Sequence, residues 1–250
     1  MLTGDVLLVK GTTKFSKTLS KGQKVIYKNN VSSHVELSIA DGTFVHSTDD
    51  GGVHLVFLPD ELKTCEDGWR VIRLKSLNEQ EREEIMKASV HYLRQDYNKA
   101  YMGKGKPDAS FCSELIAKVY SKAGITILGG KEPSKVAPAH FDEQADVDEA
   151  WEDVTEEYKV GLQKIKQDES TYRFGFNTIQ QAMARRHEHS KMRKTIFETM
   201  KMLADSSDDK GLQNIVDNSQ KFLKEKRILS FWDETDHLPI DLQPANKKDD

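Results

Sequence analysis

Hydrophobic and polar positions divide the chain into a β-rich first third, a mixed middle and a long polar helical end. Asp5-Val6-Leu7-Leu8-Val9, behind Gly4, is a short apolar run that predicts a buried strand. Residues 34–39 alternate with period two, Asp41-Gly42 supplies a turn, and residues 43–46 complete a β-hairpin. In that hairpin His34, Glu36 and Ser38 share one face, whereas Val35, Leu37 and Ile39 share the other. Residues 51–57 and 69–74 predict two more strands joined through Pro59, and an antiparallel sheet is the economical arrangement. Residues 10–30 are polar and interrupted by Gly11 and Gly22, so they read as a loop or short helix bordering a groove.

After Asn78 the period changes. Ile85, Met86, Val90 and Leu93 make one helical face behind a Glu-rich start at residues 79–84. A Gly-Lys-Gly-Lys-Pro loop at 103–107 leads to Phe111-Cys112-Ser113-Glu114, and Leu115, Ile116, Val119 and Tyr120 carry a helix that Gly124 stops. Ser110 is its expected N-cap. Residues 129–138 read as a loop, and the acidic stretch 142–157 holds Trp151 and a last strand or helix start. From about Lys166, Ile179, Met183, Ile196, Met200 and Leu203, then Leu212, Ile215, Val216, Phe222 and Leu223, predict two or three amphipathic helices with a break at residues 205–209. The charged end, 246–250, is expected to fray. These elements give an α+β domain over residues 1–162 and an α-helical C-terminal appendage over 163–250.

Composition narrows the classes. The 250 residues are 37% hydrophobic and 31% charged, with no apolar run of membrane-spanning length. A net charge of -4 argues against nucleic-acid partners. The N-terminus lacks a basic region and a signal-peptide core, so a cytoplasmic site of synthesis is expected, with any export by a signal-independent route. Two cysteines, Cys65 and Cys112, make neither a disulfide framework nor a metal spacing and fit free thiols.

Cys112 falls in the first turn of its helix, where orphan N–H groups and the helix dipole favour thiolate, the reactive form. A cysteine nucleophile needs a base and a group to orient that base. His34, which begins a strand on the mixed polar face, is the candidate base, placed to look from the sheet toward a helix start. His46, across the turn, is the candidate orienter, and Glu36 is its competitor. No metal or other cofactor is expected: His187-Glu188-His189 lacks the i, i+4 spacing of a helical zinc pair. His54, His91, His140 and His237 have no partner pattern, and Cys65 reads as a plain loop residue. The basic cluster Arg185, Arg186, Lys191, Arg193, Lys194 reads first as a solvated helix face and second as a transient contact with a membrane surface.

Gly4-Asp5-Val6-Leu7, Ser33-His34-Val35-Glu36-Leu37, Phe44-Val45-His46, Gly52-Val53, Asp96-Tyr97 and Phe111-Cys112-Ser113-Glu114-Leu115 together resemble the circularly permuted NlpC/P60 hydrolases, the YiiX-like proteins and lecithin:retinol acyltransferase relatives. Val136-Ala137-Pro138-Ala139 and Trp151-Glu152-Asp153-Val154 look like the closing segment of the YiiX-like branch. The resemblance covers about residues 1–160 and implies a permuted papain-like core in which the histidine strand precedes the cysteine helix. It implies Cys112 as nucleophile, His34 as base and then acid, and His46 in the third position. That position holds an acid in much of the YiiX-like branch and a histidine in the acyltransferase relatives. Tyr97 and Ser113 are oxyanion or substrate candidates, with the Cys112 N–H. The implied reaction is acyl transfer to water on an acyl-lipid ester, as in a phospholipase, with a peptidoglycan amide as the alternative and a non-catalytic binding module as the second alternative. The architecture also suits a secreted bacterial effector whose C-terminal helices meet an immunity or adaptor protein.

Overall fold

The computed structural model describes residues 1–207 and 209–226. Among them, six strands form one antiparallel sheet: β1 (Val6–Val9), β2 (His34–Ala40), β3 (Thr43–Thr48), β4 (Gly52–Phe57), β5 (Arg70–Leu74) and β6 (Trp151–Asp153), in the order β4-β3-β2-β1-β5-β6. Pairing of β1 with β2 sets Leu7 opposite Glu36 and Val9 opposite His34. The expected hairpin turn forms at Asp41-Gly42, with Gly42 at φ +70. The polar stretch after β1 contains a short helix, α1 (Lys14–Gly22), and β4 leads through Pro59 into α2 (Leu58–Glu61).

Both faces of the sheet are covered. Leu7, Val9, Phe44 and Val71 pack with Leu58 of α2 and with Val154 and Tyr158 at the start of α6 (Thr155–Gln167). On the other face lie α3 (Glu79–Tyr92) and α4 (Cys112–Lys122). Asn78 and Glu81 close a reciprocal capping box at the start of α3. Tyr120 of α4 donates to the Gly4 carbonyl, and its ring meets Trp151 of β6. Gly124, at φ +78, ends α4 as expected. The segment between α4 and β6 holds α5 (Pro138–Val147).

Met1–Thr178 form one compact unit and Ile179 onward a second. The first contains α6 and the beginning of α7 (Glu169–Ser207), where Phe176 packs on Phe57 and Arg173 pairs with Asp60. In the second, α7 runs unbroken to Ser207 and is followed by α8 (Lys210–Lys226), so the break expected at 205–209 is shorter than the run of polar residues suggests. Ala204 and Val216 are buried there. His189 and the basic cluster lie on α7, with Lys191 facing Glu188 at 3.6 Å. His237, residues 246–250 and the side chain of Leu223 lie outside the described residues.

One buried ion pair ties the N-terminal strand to the rest. Asp5 is fully buried and takes a two-point contact from Arg73 at 2.8 and 2.7 Å, with a third bond from the Tyr158 hydroxyl at 2.7 Å. Removing one partner of such a pair strands the other without its counter-charge. Asp5→Asn is therefore expected to lower unfolding free energy by about 3 kcal/mol. Urea denaturation followed by circular dichroism checks this, and an unchanged midpoint would refute it.

Candidate active site

Cys112 opens α4, and the segment before it is held from several sides. The Ser110 carbonyl accepts the Ser47 hydroxyl at 2.6 Å, and the Ser110 N–H donates to the Asp96 carbonyl at 3.0 Å. Phe111, not Ser110, is the N-cap: the Ser110 hydroxyl is already engaged with the Gln95 side chain and the Lys118 ammonium. Glu114, three residues into the helix, reaches back to the Phe111 N–H at 3.4 Å and also accepts from Asn98 at 2.9 Å. Lys118, one turn on, lies 3.0 Å from Glu114.

The thiol is only 4% exposed, and burial pushes it up to about 11. The N–H of Val35, from β2, and the N–H of Ser113, at the helix start, act in the opposite direction. Burial wins, so the resting group is a thiol and not the thiolate expected from helix position alone.

The histidines form a chain on the hairpin. His34 Nε2 lies 3.1 Å from His46 Nδ1, Glu36 Oε1 lies 3.1 Å from the same Nδ1, and His46 Nε2 lies 2.9 Å from His54 Nε2. His54 Nδ1 is 2.9 Å from the Gly52 carbonyl. That carbonyl accepts only, which assigns every ring in turn. His54 carries its proton on Nδ1, so its Nε2 accepts from His46 Nε2–H. His46 Nδ1 then holds a lone pair, and a bond from His34 would use His34 Nε2–H and leave His34 Nδ1 as a vacant proton acceptor. Burial and the neighbouring imidazoles push His34 down to about 3 and His46 down to about 4. Burial pushes Glu36 up to about 8, so near pH 7 its carboxyl is mostly protonated and competes with His34 as donor to His46.

The structure thus brings His34, Glu36 and His46 together and sets Cys112 beside the same strand. It does not bond the thiol to an imidazole: among the described residues no hydrogen bond joins Cys112 to His34 or His46. The pleat explains why. Val35, Leu37 and Ser47 point to the face carrying α4, and His34, Glu36 and His46 point to the face of Leu7, Val9 and Phe44. The thiol meets β2 at the Val35 backbone, one residue from His34.

Ser113 is fully buried and its hydroxyl donates to the Val136 carbonyl at 2.7 Å. Tyr97 stands within electrostatic reach of Cys112; burial first and the thiol second raise its phenol above the ordinary range. Tyr101, which the sequence did not single out, is raised in the same way by burial and then by Cys112. Its ring lies 4.9 Å from that of Phe111, and its buried hydroxyl has no hydrogen-bond partner. His54 corrects the expectation that it has no partner pattern: it pairs directly with His46 across β3 and β4. Their equal spacing about residue 50 is the signal that could have found it. Cys65 also has a partner, with its sulfur 3.5 Å from Glu61. Upstream, the Asp142 carboxylate of α5 fixes the approach to His34 by accepting the N–H groups of Val31 and Ser32 and the Ser32 hydroxyl.

Comparison with known proteins adds a family to this geometry. The model of a family described as permuted papain-like amidase enzyme, YaeF/YiiX, C92 family, matches residues 1–230. A structure described as the crystal structure of metalloprotein yiiX from Escherichia coli O157:H7 is similar with a TM-score of 0.41 and 20% identity, over 49% of this chain and 66% of that one. The aligned part is thus just under two thirds of that protein's length. No curated protein matches.

With its thiol near 11, Cys112 should alkylate slowly at neutral pH and accelerate about tenfold per pH unit from 7 to 10. Mass-spectrometric mapping of iodoacetamide adducts measures this. A rate that levels off near pH 8 would contradict the assignment.

Proposed function

Because the chain belongs to the C92 family of permuted papain-like amidases, it is a cysteine hydrolase, and we propose that Cys112 cleaves an acyl amide through an acyl-thioester with His34 as proton carrier. The observation that carries this reading is the thiol at the first turn of α4, on the Val35 N–H and one residue along β2 from His34, whose Nε2 faces His46 Nδ1 at 3.1 Å.

In the first half-reaction the Cys112 S–H proton passes to His34 Nδ1 as sulfur attacks the carbonyl carbon. The oxyanion takes the Cys112 N–H, which has no intrahelical acceptor at this position, and the hydroxyls of Tyr97 and Tyr101. Collapse breaks the C–N bond, and the proton on His34 leaves with the amine. In the second half-reaction His34 takes a proton from water, hydroxide attacks the thioester, and the carboxylic acid departs as sulfur recovers the proton. Before it moves, His34 is held by its Nε2–H bond to His46, whose tautomer His54 fixes.

This sequence requires His34 to move. Its ring must leave the face shared with Glu36 and His46 to reach sulfur; because His34 pairs with Val9 and the Ser33 N–H bonds the Val9 carbonyl, that requires the start of β2 to open from β1, at an end where the His34 side chain is 20% exposed. Acid–base pairs in free enzymes are often long and tighten when substrate binds. The neutral state of the pair fits such a two-step scheme, in which substrate entry precedes proton transfer.

An acyl-lipid ester is the second reading, favoured by the histidine in the third position. One set of assays decides between them: wild type and Cys112→Ala with purified peptidoglycan, with phospholipid vesicles, and with p-nitrophenyl acetate. Muropeptide release by the wild type alone supports the amide reading, and fatty-acid release by the wild type alone the ester reading. A nitrophenol burst absent from Cys112→Ala supports the thioester, and equal turnover by both proteins refutes it. Tyr101→Phe is expected to slow the burst about a hundredfold while leaving iodoacetamide alkylation unchanged, since alkylation develops no oxyanion. An undiminished burst would remove Tyr101 from the oxyanion site.

A further inference from the structure

We propose that His34 Nε2, His46 Nδ1 and Glu36 Oε1 form a binding site for one divalent transition-metal ion such as Zn2+, and that this ion competes with the Cys112 thiol for His34. The first part stands on geometry alone, and the competition rests on the hydrolase reading above.

The three atoms face one another at 3.1, 3.1 and 3.7 Å. A tetrahedral ion with bonds of about 2.0 to 2.1 Å needs ligand atoms about 3.3 to 3.4 Å apart, so the triangle already has nearly the edge lengths of one face of that tetrahedron. Two imidazoles and one carboxylate are a ligand set that zinc accepts with a fourth position left to solvent. Among the described residues this is the group of His, Cys, Asp and Glu side chains whose ligand atoms converge within 4.8 Å.

The surroundings fit a metal better than they fit hydrogen bonds alone. His46 Nδ1 has one site for a hydrogen bond and two groups at 3.1 Å, His34 Nε2 and Glu36 Oε1, so it cannot serve both. An ion at the centre satisfies all three atoms at once. The His46 tautomer is already the one ligation requires, fixed by Nε2–H to His54 and, behind it, His54 Nδ1–H to the Gly52 carbonyl. Outer hydrogen bonds of this kind orient histidine ligands in metal sites. His34 needs only to carry its proton on Nδ1 in place of Nε2. Glu36 Oε2 is buried and makes no full hydrogen bond, though the Glu61 carboxyl lies within its reach, and it supplies a second carboxylate oxygen for the ion or for a water on it. The partly exposed His34 ring marks the way in.

The competition follows from chemistry shared by one ring. A metal on His34 Nε2 puts the proton on Nδ1, the atom that must be vacant to take a proton from Cys112. It also holds the ring on the face away from α4. The spacing of these ligands, at i, i+2 and i+12, suits a strand and its hairpin partner and not the helical pattern by which a zinc pair is read.

Titration of the full chain with CoCl2 tests the site through the visible absorption of tetrahedral Co2+. One equivalent is expected to give that band, Cys112→Ala to keep it, and Glu36→Gln and His46→Ala to weaken binding at least about tenfold. Circular dichroism confirms that each variant is folded, and Glu36→Gln, nearly isosteric, carries the test where His46→Ala is not. No band, or a band that Glu36→Gln leaves unaltered, overturns the site. Competition is read separately: the p-nitrophenyl acetate burst should fall with the same Co2+ midpoint as the band rises and return with EDTA. A band without inhibition overturns the competition and leaves the site standing. A wild-type burst that Cys112→Ala retains overturns the competition together with the hydrolase reading, and the spectrum still reports the metal.

Discussion

The register of β1 against β2 decides which groups on this sheet meet. With Leu7 opposite Glu36 and Val9 opposite His34, the pleat sends His34, Glu36 and Ser38 toward α2 and α6, and Val35, Leu37 and Ile39 toward α3 and α4. A slip of one residue would exchange the two sets, placing a carboxyl and an imidazole in the apolar layer beneath α4. Buried Val6 and Leu8 on the central strand hold the register, and paired bonds from the Gly4 N–H to the Ser38 carbonyl and from the Ser38 N–H to the Asp5 carbonyl extend it at the start of β1. The polar cluster and the thiol therefore share a strand but not a face.

Burial then sets the charge state. A helix start and two N–H groups favour thiolate at Cys112, but a thiol only 4% exposed loses more solvation than those dipoles return. The same effect keeps His34 and His46 uncharged and holds a proton on Glu36. His34, His46 and Glu36 therefore rest as neutral groups, each with one donor and one acceptor. The histidine chain has a direction, set at one end by the Gly52 carbonyl, which has no proton to give. Gly52 is itself a position only glycine fills: at φ +59 a Cβ would lie 2.2 Å from the Gln95 carbonyl oxygen, so the backbone that anchors the chain is also locked to the loop before Cys112.

Much of this was legible in the sequence because it is written in short-range patterns. The strand alternation, the Asp41-Gly42 turn and the helix opening at Cys112 involve neighbours that sterics and hydrogen bonding constrain locally. The family resemblance rested on the same segments, with the histidine strand ahead of the cysteine helix, and the family match agrees. What was not legible depends on distance in the chain. The engagement of Ser110 by Gln95 and Lys118, which moves the cap to Phe111, needs the loop of 95–110 folded back on α4. The partnership of His46 and His54 needs the β3–β4 register. The balance between helix dipole and burial at Cys112 needs the whole layer above it. Tyr101 carries no pattern at all, since its meaning lies in a hydroxyl left without a partner next to a buried thiol.

His34 stands at the first position of β2, and the position has a physical consequence. It pairs with Val9 of β1, so its ring changes faces only where that end of the strand opens. Its partners on one side are His46 and Glu36, and on the other the thiol one residue away. Any ligand that binds one arrangement more tightly shifts the population by its differential affinity and by nothing else. In the mechanism proposed above, substrate at Cys112 favours one arrangement, because a tetrahedral intermediate needs an imidazolium beside it. A metal ion favours the other, because it needs two imidazoles and a carboxylate at tetrahedral spacing. The two states draw on the same ring, so occupancy of the one must weaken the other by an equal free energy in each direction.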